Sequence, residues 1–364
     1  MLAFPLQSAG SMPLGERLHG ARIFTEKMLE WVKGRGEVII LVHDNPDPDC
    51  LASAMALSRF FREKVSVEPV IAFSGMIGRS ENLMMAGVLE IPLVPLEIVD
   101  LSRYRVVCML DTQPLTGNNS LDPDVTVDIV IDHHPLRETC NRSRWVDVRE
   151  DYGVTATIIY EYLIANEVAI DSKLATAIFY AIKSDTQDLG REANLPDREA
   201  YLSLFPIVDK HLLYQITNPR QPIEYFRTIR RTLDHARIYD TAVVADMQLV
   251  VFPELVAEMA DFLLRLEGIK VVLAFGDYSG ELVISLRTSS ADMNAGEMVK
   301  RLVQGLGVGG GHSLVAGGKI LLIPDHLAGT QNMDKILTDR FLGELGLSNV
   351  SPKSIKYQKN TESN

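Results

Sequence analysis

From Gly34 onward, short runs of aliphatic and β-branched residues alternate with stretches whose apolar positions recur at three- and four-residue spacing. Alternation of this kind predicts strands joined by crossover helices, hence an α/β fold with a mostly parallel sheet flanked by helices. Val38 to His43, Ser66 to Phe73, Arg105 to Leu110 and Asp128 to Ile131 are the predicted strands. Their near-continuous apolar character places the sheet interior on both faces. Ala52 to Phe61 is predicted helical, and Val154 to Asn166 and Ser172 to Lys183 read as a helical pair, with Asp171-Ser172 offering the second an N-cap.

After Gly190 the pattern weakens, and Asn218-Pro219-Arg220-Gln221-Pro222 sets two prolines within five residues, which predicts a linker. Beyond it Thr241 to Val251 and Val271 to Arg287 are predicted strands, and Glu254 to Leu266 and Ala295 to Val303 helices, giving a second, smaller α/β domain. The expected organisation is an N-terminal extension over 1–20, a first domain over 21–190, a linker over 191–222, a second domain over 223–347 and a polar, disordered tail over 348–364. Gly307 to Gly318 is dense in glycine.

A length of 364 residues suits two domains with a cleft. No stretch nears the ~18 consecutive apolar residues of a membrane helix, so a soluble protein without membrane partners is expected. Met1 to Gly10 lacks the basic start of a secretory signal. Cys50, Cys108 and Cys140 are odd in number and form no CxxC pair, which argues against a disulfide framework or zinc ribbon and for a reducing cytoplasm. Cys50 and Cys108 read as small buried hydrophobes. A net charge of −12 disfavours long nucleic acid, whose binding energy comes mostly from phosphate neutralisation, and suits a small phosphorylated ligand.

Acidic and histidine residues fall at telling places. His43 closes one apolar run, Asp111 a second and Asp132-His133-His134 a third, while Asp185 ends a helical stretch. Parallel sheets bind ligands outside the carboxyl ends of their strands, so these clusters are expected to meet in one crevice. In the first loop His43, Asp47 and Asp49 stand at i, i+4 and i+6; Asp47 and Asp49 can address different ions, and Pro46 and Pro48 stiffen the backbone. Imidazole beside carboxylate is a usual ligand mix for Mn, Fe or Zn. Taken singly, each cluster has an ordinary reading as a turn, a cap or a core histidine pair.

Together the ordered motifs HxxxDxD, DT, DHH and SDT resemble the DHH phosphoesterase superfamily across residues 38–190. Gly309-Gly310-Gly311-His312, preceded by Ser285-Leu286-Arg287 and Asn294, resembles the smaller DHH-associated domain, to about residue 325. At Cys50-Leu51-Ala52-Ser53 the chain departs from the pattern, which has Gly before the Ser; the ligands are unaffected.

The resemblance implies two divalent ions, Mn2+ foremost with Mg2+, Co2+ or Fe2+ as substitutes. It places His43 and Asp47 on one ion, Asp49, His133 and Asp185 on the other, and Asp111 between them, with hydroxide activated by the pair as nucleophile. Four aspartates balance two divalent ions, so an anionic phosphate requires further donors. His134 is expected to contact a phosphate oxygen or protonate the leaving group, and Asp132 to orient an imidazole, which makes Asp111, Asp132 and His134 the catalytic set. Gly309, Gly310, Gly311 and His312 are expected to grip phosphate, and Arg287 to pair with a second phosphate or stack on a base. Hinge motion over 190–222 would close the site. Arg79-Ser80-Glu81-Asn82 and Arg227, Arg230 and Arg231 read as solvated surface.

The implied substrates are short oligonucleotides or pAp, with no long duplex as partner; a homodimer is compatible with the sequence. The alternatives are a cyclic dinucleotide phosphodiesterase, an inorganic pyrophosphatase or exopolyphosphatase, a RecJ-like exonuclease, which the acidic charge disfavours, and a nucleotide-binding sensor without turnover.

Overall fold

The computed structural model describes residues 2–3, 9–191, 193–290, 292–311, 313–322 and 327–355. The chain divides between Pro219 and Arg220 into two compact units. The first contains β1 (Leu2–Ala3), α1 (Leu14–Val32), β2 (Glu37–Val42), α2 (Pro48–Val65), β3 (Val70–Phe73), α3 (Ser80–Val88) and β4 (Leu93–Pro95). It continues with β5 (Tyr104–Leu110), β6 (Ile129–Asp132), β7 (Trp145–Val148), α4 (Thr155–Ala165), α5 (Ser172–Asp185), α6 (Leu195–Leu204) and α7 (Lys210–Thr217).

The strands form one parallel sheet in the order β1-β7-β6-β5-β2-β3-β4. From β2 the chain proceeds outward through β3 and β4, then returns to the other flank and proceeds through β5, β6 and β7. The order therefore reverses between β2 and β5, and their carboxyl ends flank the crevice where such sheets bind ligands. On one sheet face Val38, Ile40, Val42, Cys108, Leu110 and Ile131 pack under α1, α2, α4 and α5. On the other, Ile39, Leu41, Val107, Met109 and Val130 are covered by short turns and connections that include Leu96, Leu101 and Val125.

Several boundaries differ from expectation. The Asp/Pro loop initiates α2: Pro48 occupies the first turn and Asp47 Oδ1 accepts the Cys50 amide at 3.0 Å. Ser66 is not strand but the left-handed C-cap of α2, so β3 begins only at Val70. The 1–20 extension contains the start of α1, where Arg17 is buried. Most of the expected linker is helix: Asn194 and Asp197 form a capping box on α6, and Ala200, Leu204 and Ile216 enter the same core as the sheet.

The second unit comprises α8 (Ile223–His235), β8 (Arg237–Tyr239), β9 (Ala242–Leu249), α9 (Glu254–Leu264), β10 (Val271–Tyr278) and β11 (Glu281–Thr288). It ends with α10 (Ala295–Leu302), β12 (Val308–Gly311), β13 (Val315–Leu321), α11 (Leu327–Glu344) and β14 (Lys353–Ser354). Its sheet runs β12-β13-β11-β10-β9-β8-β14, with β9 and β10 parallel and the other neighbours antiparallel. Val271 to Arg287 is thus two strands, turned at Ser279-Gly280, both left-handed. Part of the expected tail is ordered, since Lys353 and Ser354 pair with β8; residues 356–364 lie outside the described ones.

The glycine-dense stretch is a hairpin, in which Gly309 and Gly310 pair with Gly318 and Gly317. A Cβ on Gly309 would stand 2.5 Å from Val299 Cγ1 of α10, so this glycine admits a helix against the strand. Among the described residues no helix is long and apolar enough to cross a membrane.

Candidate metal centre

His43, Asp111 and the pair His133-His134 directly follow the carboxyl ends of β2, β5 and β6 or lie one residue beyond. Register alone brings them together: Val42 pairs with Leu110, and Leu110 with Ile131. Asp111 is buried and adopts φ 56, while its amide donates to the Ile131 carbonyl at 3.1 Å. A left-handed non-glycine residue costs roughly 1–2 kcal/mol, and such outliers cluster at functional sites.

The His43 ring places Nδ1 2.8 Å from the Asp44 carbonyl, so Nδ1 carries a hydrogen and Nε2 is turned inward. That Nε2 lies 3.5 Å from Asp47 Oδ2 and 3.6 Å from Asp111 Oδ2. His133 repeats the arrangement: Nδ1 is 3.2 Å from the Tyr152 carbonyl, and Nε2 is 3.5 Å from Asp111 Oδ1 and 4.0 Å from Asp49 Oδ2. The two oxygens of Asp111 therefore face two different imidazoles.

Asp49 is fully buried and caps α4, accepting the Thr155 amide at 2.6 Å, the Ala156 amide at 2.7 Å and the Ser53 hydroxyl at 3.2 Å. Thr155 also donates its hydroxyl to Asp111 Oδ1 at 3.0 Å. Asp132 holds the last imidazole: His134 Nδ1 is 2.8 Å from Asp132 Oδ1, and Gln113 Nε2 donates to Asp132 Oδ2 at 2.6 Å. The His43 loop is braced at Gly75, with φ +76, where an added Cβ would lie 2.4 Å from Asn45 Oδ1.

Charge confirms how crowded the cluster is. Burial, then Asp49 and Asp47, push the Asp111 carboxyl well above the ordinary range. Burial and Asp47 raise Asp49 to about 7 despite its amide donors. Burial followed by Asp47 and Asp49 raises Asp185, the last residue of α5, with Arg79 and Arg191 pulling the other way. Arg79 is thus half-buried beside the cluster rather than solvated surface. Burial pulls His43 down, but Asp47 overcomes it and raises the imidazole to about 9. Burial and His134 lower His133 to about 4. Buried carboxylates that oppose one another, with inward-aimed imidazoles, form a donor set that suits a divalent cation with oxygen and nitrogen preferences.

Behind His133 lies a buried ion network. Arg149 grips Asp147 through Nε at 2.9 Å and Nη2 at 2.7 Å and reaches Glu161 at 2.6 Å, which in turn binds Arg17 at 2.7 Å. Tyr152 donates to Glu161 at 3.0 Å. The network fixes the turn whose carbonyl sets the His133 tautomer.

Sequence reasoning missed Thr155, Tyr152, Gln113 and Cys50. The first three act through backbone groups or neighbouring side chains, whereas Cys50 sits inside the donor cluster with His43, Asp47 and Asp111. Arg287 belongs to the second unit, where it is buried and bonded to Asp261 Oδ1 at 2.8 Å, Ser285 Oγ at 2.8 Å and the Leu286 and Ala316 carbonyls. Its Nε and Nη1 are thereby engaged within that unit. Gly309, Gly310 and Gly311 stand in β12 rather than in a loop, and His312 lies outside the described residues.

A parallel sheet with an aspartate and histidine cluster at its switch point defines an α/β protein with a candidate divalent-cation site. Residues 37–182 match the DHH family N-terminal domain and residues 240–339 the DHHA1 domain, so the chain contains a DHH domain followed by a DHHA1 domain. An uncharacterized protein of Methanocaldococcus jannaschii is 35% identical over 290 residues, 79% of this chain and 59% of that protein. A probable manganese-dependent inorganic pyrophosphatase of Enterococcus faecalis is 25% identical over 150 residues, 41% of this chain and 48% of that protein. The chain thus spans about half to three-fifths of the length of these relatives. An exopolyphosphatase-related protein from Bacteroides fragilis shares the fold, with a TM-score of 0.68 at 15% identity over 90% of this chain and 98% of that chain.

Proposed function

We propose that the first unit is a two-metal phosphoester hydrolase. His43 and Asp47 hold one ion, Asp49, His133 and Asp185 the other, and Asp111 is shared. The observation that carries this reading is the Asp111 carboxylate, whose oxygens lie 3.6 Å from His43 Nε2 and 3.5 Å from His133 Nε2. When bound, a metal pair supplies a water of lowered pKa and positive charge at the phosphoryl oxygens. Mn2+ is the favoured ion, in keeping with the manganese dependence named for the pyrophosphatase relative.

The protein's own groups do the rest. The Asp44 and Tyr152 carbonyls hold His43 and His133 with Nε2 toward the cluster. Burial lowers the His134 imidazole, but the hydrogen bond and charge of Asp132 overcome this and raise it, so His134 keeps its proton to higher pH than a free imidazole. It can then hydrogen-bond a phosphate oxygen or give the leaving oxygen a proton.

The substrates proposed are short oligonucleotides and pAp, which suit a net charge of −12 better than long strands do. A second reading, hydrolysis of inorganic pyrophosphate, is favoured by the similarity to the Enterococcus protein. A panel of dinucleotide, pAp, cyclic di-AMP, cyclic di-GMP and pyrophosphate, assayed with Mn2+, separates them. Mononucleotide release from the dinucleotide and adenylate from pAp are expected. Turnover of pyrophosphate alone would replace the first reading with the second, and tight nucleotide binding with no turnover would make the protein a sensor.

A further inference from the structure

Cys50 is the third residue of α2, fully buried, and its amide is held by Asp47 Oδ1. That cap turns the remaining oxygen, Asp47 Oδ2, toward His43 and brings the thiol to the same side. Sγ lies 3.5 Å from Asp111 Oδ2, the oxygen that faces His43. One donor atom each from His43, Asp47, Cys50 and Asp111 lies within 4.8 Å of the others.

These separations can be compared with a real coordination shell. Zinc binds Cys at about 2.3 Å, His at about 2.0–2.1 Å and carboxylate at about 2.0–2.2 Å in tetrahedral geometry, which sets nitrogen and oxygen donors roughly 3.4 Å apart and sulfur and oxygen roughly 3.6 Å apart. The structure has His43 Nε2 at 3.5 Å from Asp47 Oδ2 and 3.6 Å from Asp111 Oδ2, and Sγ at 3.5 Å from Asp111 Oδ2. These three separations are within a few tenths of an ångström of those in a tetrahedral shell.

We infer that Cys50 makes the His43 pole of the centre a four-donor site for a thiophilic ion, Zn2+, in competition with the harder ion, an inference that presupposes the two-metal assignment above. Zinc binding forms a Zn–S bond and releases the thiol proton to solvent. With one nitrogen, two oxygens and one sulfur the shell is full, and structural zinc shells of this kind keep no open position for water or substrate. Mn2+ gains little from sulfur and binds through His43, Asp47 and Asp111. Zinc is therefore an occupant that blocks the centre, and Cys50 determines how tightly it does so.

Co2+ is the probe, because it reports its ligands in its absorption spectrum. The intact chain titrated with Co2+ is expected to show a thiolate-to-cobalt charge-transfer band. Cys50→Ala and Cys50→Ser, which retain Cys108 and Cys140, are expected to lose the band, weaken Zn2+ binding by roughly tenfold or more, and keep Mn2+ uptake. Uptake of Co2+ and Mn2+ by the intact chain without the band would overturn this inference and leave the two-metal assignment standing, as would an undiminished band in either variant. Should the variants fail to fold, the spectrum of the intact chain decides alone. Uptake of neither ion by the intact chain would overturn the assignment and this inference together.

Discussion

Replacing Thr155 by valine removes one hydroxyl and little else. The amides of Thr155 and Ala156 still cap Asp49, but Asp111 Oδ1 loses its 3.0 Å donor. A hydrogen bond to a charged group contributes roughly 1.5–3 kcal/mol. Burial and its acidic neighbours push the Asp111 carboxyl well above the ordinary range when no cation is bound, and a bound cation would favour the charged carboxylate. The lost bond therefore weighs mainly on the metal-loaded form. At about 1.4 kcal/mol per factor of ten, Mn2+ binding should weaken roughly 10- to 100-fold, the range typical of losing a partner that orients a ligand. Calorimetric titration with Mn2+ measures this, and Thr155→Ser should restore most of it by returning the hydroxyl. Unchanged affinity in the valine variant, with a normal melting temperature, would refute a positioning role for Thr155.

Three further outcomes are expected. Arg149→Met strands Asp147 without its cation and leaves Glu161 with Arg17 alone, and should cost about 3–5 kcal/mol, read in urea unfolding. Mn2+ affinity should rise with pH through the range from about 7 to about 9, because in the metal-free protein Asp49 titrates near 7 and His43 near 9, and each must lose its proton to bind an ion; calorimetry in buffers of differing ionisation enthalpy would count the protons released. Gly309→Ala forces a methyl to within 2.5 Å of Val299 and should destabilise the second unit by about 1–3 kcal/mol, visible in its thermal melt.

The fold class and the donors at strand ends were legible because both follow from one pattern. An apolar run long enough to cross a sheet, ended by His43, Asp111 or Asp132-His133-His134, marks an interior strand and the position of its carboxyl end. What could not be read was whatever acts through the backbone or across long sequence separations. Thr155 holds Asp49 through an amide, which leaves no trace in residue type. Helices α6 and α7 do not stand out in the sequence because Leu202 and Tyr214 are exposed, which blurs the one-sided pattern of a packed helix. The turn between β10 and β11 did carry a signal, Asp277 to Glu281 with Ser279-Gly280 at its centre, but it is short beside the apolar runs that precede and follow it. Glycine density at Gly309 reflected contact with α10, a requirement of packing that composition cannot distinguish from contact with a ligand.

The stretch from Tyr152 to Ala156 supplies a carbonyl to His133, two amides to Asp49 and a hydroxyl to Asp111, so three donors share one mechanical support. In the proposed two-metal centre, loading either ion would therefore bear on the same few peptide units that its neighbour relies on. Lesions along that stretch will accordingly fail to add, since the first already loosens what the second would have damaged.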